Sequence, residues 1–120
     1  MDIKFFKNKN TGEFRMVMKN IADPDWLELK ANSTDAAVEK HVPVIEENGD
    51  KVTVTVGSVL HPMTEEHFIS HIVLVTDRES LMHNLKPNDE PKATFTLAQG
   101  EKVVAAYAYC NLHGLWVKNA

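Results

Sequence analysis

The stretch Lys51-Val52-Thr53-Val54-Thr55-Val56, directly after Asn48-Gly49, constrains the fold more than any other. Its valines alternate with threonines, so one face is apolar and the other polar, which is the period of a half-buried β-strand. β-Branched side chains also favour the extended backbone. Just upstream, Val44-Ile45-Glu46-Glu47 supplies a partner strand, and Asn48-Gly49 reads as the tight turn of a hairpin. A two-stranded hairpin is not stable alone in water, so its apolar face requires a second layer.

The rest of the chain offers that layer in short pieces. Residues 68–75 are apolar at both parities, as for a strand covered on both faces. Residues 76–91 are polar and proline-bearing and are expected to be mostly loop. Alternation returns over residues 92–97, with Ala93, Phe95 and Leu97 on one face. Gln99-Gly100 turns the chain, and residues 102–109 form the last expected strand, ending at Cys110. Short strands punctuated by turn signals point to an antiparallel β-sandwich.

Residues 1–35 read differently. Phe5, Phe6, Phe14, Met16, Val17 and Met18 surround a polar centre, Asn8-Lys9-Asn10-Thr11-Gly12, which predicts a small hairpin with Gly12 in the turn. Trp26-Leu27-Glu28-Leu29 predicts a brief strand. A 120-residue chain thus accommodates one domain, residues 36–120, with a small β appendage. Between them, Asn32-Ser33-Thr34-Asp35 is expected to cap a helical turn over residues 36–39. Pro43 disfavours helical backbone at Val42, which puts His41 near a strand entry.

Charge and cysteine usage narrow the function. The net charge is −4 and no basic stripe is present, which argues against nucleic acid as a partner. No apolar run reaches the length of a signal peptide or a membrane span, so a cytoplasmic protein is expected. The single cysteine, Cys110, cannot form an internal disulfide. It lies in Tyr109-Cys110-Asn111-Leu112-His113-Gly114-Leu115-Trp116, where a thiolate and an imidazole two residues apart can close on one metal ion across a bend. Neither a hydrolase arrangement nor a phosphate-binding glycine loop is present.

Six histidines are available as further ligands. His41, His61 and His113 fall at strand ends or loops, and His61 and His67 close either end of one loop. His71 lies inside an apolar strand and His83 in a polar loop, where packing or solvation is expected. His41, His61, His67, Cys110 and His113 therefore form a candidate set. A tetrahedral zinc site would leave one of them idle. Five such ligands suit iron, with a sixth position open, whereas a blue-copper site would need an axial sulfur that only Met63 offers. Glu39 and Lys40, next to His41, read either as a solvated charged pair or as groups acting at the open position. The methionines and Trp26 are expected in packing roles. Trp116 is expected to pack in the core or to shield the thiolate.

Glu39-Lys40-His41-Val42-Pro43, then Gly57-Ser58-Val59-Leu60-His61-Pro62-Met63 with Glu66-His67, then residues 109–116, together resemble the superoxide reductases, the desulfoferrodoxin and neelaredoxin proteins. The resemblance runs from about Ser33 to Trp116. It implies an immunoglobulin-like sandwich holding one mononuclear non-haem iron (Fe2+/Fe3+), with His41, His61, His67 and His113 as equatorial ligands and Cys110 as the axial one. It implies that Glu39 binds the ferric ion in the sixth position and that Lys40 attracts superoxide and orders water for proton delivery. The implied activity is one-electron reduction of superoxide to hydrogen peroxide, in oxidative stress defence. The electron would come from rubredoxin or a similar external donor, and a homo-oligomer, dimer or tetramer, is expected. The chain departs from the desulfoferrodoxin pattern in residues 1–35. None of the four cysteines of a desulforedoxin-like iron centre is present there, as in the one-iron members. The alternative is a copper- or zinc-binding sandwich serving as an electron carrier or structural metal protein.

Overall fold

Residues 2–120, described by a computed structural model, form ten β-strands and one helical turn. In chain order these are β1 (Lys4–Asn8), β2 (Phe14–Val17), β3 (Trp26–Glu28), α1 (Val38–His41), β4 (Pro43–Asn48), β5 (Lys51–Val56), β6 (Ile69–Thr76), β7 (Ser80–Asn84), β8 (Lys92–Thr96), β9 (Val103–Cys110) and β10 (Gly114–Asn119). Two compact units divide the chain, Met1–Lys30 and Ala31–Ala120.

The first unit is a three-stranded antiparallel sheet in the order β2-β1-β3. Its hairpin turns where expected: Gly12 takes a positive φ of 76°, and the Asn8 side chain accepts the backbone N–H groups of Asn10 and Thr11. Phe5 stacks on Phe14 with ring centroids 5.6 Å apart, and the Arg15 guanidinium lies 4.0 Å from the Trp26 ring centre.

The second unit is an immunoglobulin-like sandwich of two antiparallel sheets, ordered β4-β5-β8 and β10-β9-β6-β7. Val52, Val54 and Val56 of β5 are wholly shielded, and Ala93 and Phe95 of β8 extend the same apolar face. Ile69, Ile72 and Leu74 of β6 and Ala106, Ala108 and Cys110 of β9 meet them in one core. The inward residues of β6 do not alternate strictly, because the pairing with β9 shifts between Ile69 and His71. Such a bulge adds one residue and reverses the parity of the strand, so Ile69 and Ile72 both face inward. Val73 and Val75, at the opposite parity to Ile72 and Leu74, are buried too, as the apolar run required.

Three local expectations are corrected and one is refined. The β4–β5 turn is centred on Gly49-Asp50, since Asn48 pairs with Lys51, and Gly49 alone takes positive φ. That is the pattern of a turn with glycine at its first central position. The helical turn begins at Val38, after Ala37, with no side-chain cap, so residues 32–35 do not cap it. Asn32 instead bonds to β10, its Oδ1 accepting the Val117 N–H at 2.9 Å. Residues 76–91 are mostly loop but not loop throughout: Ser80–Asn84 form β7, which pairs with β6 and carries an exposed His83. Finally, β9 is not the last strand, because β10 pairs with it from Cys110↔Gly114 onward.

Replacing Ile72, which is fully buried, by alanine should lower stability by about 2–5 kcal/mol, the range for large-to-small changes in a core. Urea denaturation of the two proteins measures this directly. A loss below about 1 kcal/mol would show that the core repacks around the gap.

Candidate metal centre

Strand register gathers five candidate side chains at one end of the sandwich. Pro43 opposes Val56, so the entry of β4 lies beside the exit of β5. Ile69, Cys110 and Gly114 are likewise in register across β6, β9 and β10. His41 ends α1, His61 and His67 lie in the loop from β5 to β6, and Cys110 and His113 bracket the β9–β10 turn. Gly114 closes that turn at a φ of +78°, a conformation natural to glycine. The loop of His67 is cinched by reciprocal backbone bonds between Thr64 and His67 at 3.0 and 3.2 Å.

The 39–42 turn rests on the backbone of Gly57. A Cβ at that position would stand 2.7 Å from Glu39 O and 3.0 Å from Val42 O, so no larger side chain fits without displacing the turn that carries His41. The Val59 N–H and the Ser58 hydroxyl both donate to Glu39 O, at 2.9 and 3.3 Å.

The ligand atoms of His41, His61, His67 and Cys110 all lie within 4.8 Å of one another. The imidazoles form a square. In the sequence His41, His61, His67, His113 and back to His41, successive ring centroids are 4.7, 4.5, 4.9 and 4.9 Å apart. The His41–His67 diagonal is longer, 6.3 Å. Four groups on a regular tetrahedron would be equidistant, so the arrangement departs from a tetrahedral set and leaves Cys110 as a candidate fifth ligand.

Hydrogen bonds orient two of the rings. His41 Nδ1 donates to the Ala37 carbonyl at 2.7 Å, and His61 Nδ1 donates to the Pro62 carbonyl at 2.6 Å. A carbonyl only accepts, so each Nδ1 holds the proton and each Nε2 carries a lone pair. Those two Nε2 atoms face each other at 3.2 Å, and His113 Nδ1 stands 3.1 Å from the Nε2 of His41. Neighbouring nitrogens bound to one cation at about 2.1 Å and at right angles would be about 3 Å apart. The Nε2 of His67 is buried without a hydrogen-bond partner. An orphaned buried nitrogen costs about 1–3 kcal/mol, which a bound cation would remove.

Burial lowers His61 to about 4, with the neighbouring imidazoles adding to the shift and the Pro62 carbonyl opposing it. Burial, first among several causes, also lowers His41 and His67. All three are thus neutral at pH 7, the form that binds metal. Cys110 is fully shielded, and burial raises its thiol pKa while the N–H groups of Leu112 and His113 pull it down. The turn therefore supplies two hydrogen bonds to sulfur, whereas the Asn111 N–H goes to Phe68 O at 3.2 Å. Glu39 and Lys40 are exposed, and their charges act on His41 in opposite directions. Lys40 also acts on His67.

Other candidates lie elsewhere. Met63 sulfur accepts the Ile69 N–H at 3.4 Å, and its side chain packs against the core. His71 Nδ1 is 2.7 Å from the Ser70 hydroxyl, outside the square. Trp116 stacks on His41 at 4.9 Å and donates from Nε1 to His113 O at 3.0 Å, so it braces two rings. Sequence reasoning missed the carbonyls of Ala37 and Pro62, which carry no side-chain signature.

The fold and site define a class of protein, a β-sandwich whose histidines and Cys110 form a group that could hold a metal ion. The family model described as Desulfoferrodoxin matches residues 33–119. A desulfoferrodoxin from Clostridium acetobutylicum is 41% identical over 121 residues, covering 96% of this chain and 94% of that protein. A desulfoferrodoxin homolog from Archaeoglobus fulgidus is 52% identical over 88 residues, 73% of this chain and 69% of that one. The solved superoxide reductase from Treponema pallidum matches with a TM-score of 0.87 at 35% identity, over 99% of this chain and 100% of that chain. The chain belongs to the desulfoferrodoxin family.

The lowered histidines set the acid behaviour of the metal-free protein. Between about pH 6.5 and the lowered folded values the unfolded chain binds more protons than the folded one, so stability rises with pH there. The urea midpoint of metal-free protein should therefore fall on going from pH 7 to pH 5. An unchanged or higher midpoint at pH 5 would contradict the burial of these rings.

Proposed function

We propose that this protein is a superoxide reductase, an oxidoreductase that converts superoxide to hydrogen peroxide with electrons from an external donor. The observation that carries the reading is the square of four imidazoles with Cys110 beside it. Its donor set of borderline imidazoles and a soft thiolate fits iron, and the orphaned His67 Nε2 fits a missing cation. His41, His61, His67, His113 and Cys110 would hold the metal. Iron held there would supply the single electron that superoxide takes up.

The chain's own residues do the rest. Superoxide is an anion and the protein carries a net charge of −4, so long-range electrostatics oppose its approach. Lys40, exposed and close enough to act on His41 and His67, provides the local positive field that draws the anion in. Its ammonium also orders water that delivers protons to the departing peroxide. Glu39, adjacent and exposed, would offer a carboxylate to the oxidised metal. The Leu112 and His113 N–H groups withdraw charge from the Cys110 sulfur, which favours release of peroxide over cleavage of its O–O bond.

Residues 1–35 contain no cysteine and are read as a metal-free remnant of a desulforedoxin-like unit. The second electron-transfer centre is therefore absent from the chain, and a rubredoxin or similar protein is the proposed donor. A reducing compartment such as the cytoplasm keeps Cys110 available as a thiolate.

Replacing Lys40 by alanine should leave one iron per chain in place, lower the rate of superoxide consumption by about tenfold or more, and flatten its dependence on ionic strength. Rapid-mixing kinetics at several salt concentrations, with metal analysis of the same samples, measures all three. An unchanged rate would remove Lys40 from this role. Stoichiometric copper or zinc without iron in protein purified without added metal would favour the electron-carrier or structural reading.

A further inference from the structure

Asn111 lies between two of the proposed ligands, yet its amide group is engaged with the loop that carries a third. Its Oδ1 accepts the Phe68 N–H at 2.9 Å, and its Nδ2 donates to the Glu66 carbonyl at 3.0 Å. The Asn111 backbone N–H adds a bond to the Phe68 carbonyl at 3.2 Å. Both residues flanking His67 are thus tied to one residue of the Cys110–His113 turn.

His67 needs such an anchor more than its neighbours do. His41 and His61 are steadied through Nδ1 by the carbonyls of Ala37 and Pro62. No such carbonyl holds His67 among the described residues, and its buried Nε2 has no partner. The direction of its ring therefore depends on how its backbone is placed, and Asn111 determines that placement relative to Cys110 and His113. The site demands an acceptor and a donor side by side on a short stem. Aspartate lacks the donor, alanine lacks both groups, and glutamine is one methylene too long.

We propose that Asn111 is a positioning residue that locks the His67 loop to the Cys110–His113 turn, so that four imidazoles and the thiolate converge on one cation before it binds. This inference rests on the metal-centre reading above. Residues that orient ligands from outside the coordination sphere typically change metal affinity about 10–100-fold when removed.

Two variants test it, Asn111→Ala and Asn111→Asp. The second keeps an acceptor for the Phe68 N–H but sets a carboxylate oxygen against the Glu66 carbonyl. Anaerobic titration with cobalt(II) is expected to show one tight site in the wild type and about 10–100-fold weaker binding in both variants. In the metal-free proteins, amide hydrogen exchange of Phe68 should speed up about tenfold or more in Asn111→Ala, while Val73 and Ala106 in the sheets keep their wild-type rates. Cobalt affinities within about twofold of wild type in both variants, or an unchanged Phe68 exchange rate, would overturn the proposal. So would an equal acceleration across the core, which would mean a general loss of stability. Failure of the wild type to bind cobalt or iron would instead sink the metal-centre reading and this inference with it.

Discussion

Two imidazole nitrogens that point their lone pairs at each other across 3.2 Å of protein interior are the constraint on which the rest of this structure depends. The Ala37 and Pro62 carbonyls fix the protons of His41 and His61 on the far side of each ring, so neither Nε2 has a hydrogen to offer the other. His113 and His67 bring further nitrogens to the same small space, one of them with no partner. Such convergence costs free energy unless a cation occupies the centre. A proton is a poor substitute, since burial and the crowding of like groups hold His41, His61 and His67 below their ordinary pKa.

The sandwich supplies the rigidity that keeps this arrangement from relaxing. Cys110 is both a proposed ligand and a member of the hydrophobic core, in register with Ile69 and continuous with Ala106 and Ala108. The end of the molecule that carries the proposed ligands is therefore built on the core itself. The close seat of the 39–42 turn on Gly57, the stacking of Trp116 on His41, and the hold of Asn111 on the His67 loop fasten the remaining ligands from three sides. The proposed ligands, from distant parts of the sequence, are thus held as one preformed group.

Much of this was legible in the sequence, for reasons that differ by element. The valine alternation of β5 and the pattern of β8 register burial on one face, so they read correctly. The bulge at the start of β6 hid its alternation but not its burial. β7 escaped because an edge strand with exposed Met82, His83 and Asn84 has little apolar signal. β10 escaped because Leu115 and Trp116 are both buried and adjacent, which breaks the period of two. The five candidate ligands were named from residue type, position and order, and the fold brings them together. Their orienting partners were not, because a backbone carbonyl looks the same in every residue, and an asparagine in a turn looks like any other turn residue.

Electrostatics complete the account. An acidic protein that consumes an anion must reverse its own field at the reaction site, and Lys40, next to His41, is the residue proposed to do so. The most direct test of the central claim is a superoxide pulse delivered to reduced, iron-loaded protein, with hydrogen peroxide and dioxygen both counted. Reductase chemistry predicts one hydrogen peroxide formed per superoxide consumed, with no dioxygen and one protein electron used each time. Half as much peroxide with accompanying dioxygen, or consumption no faster than spontaneous dismutation, would contradict it.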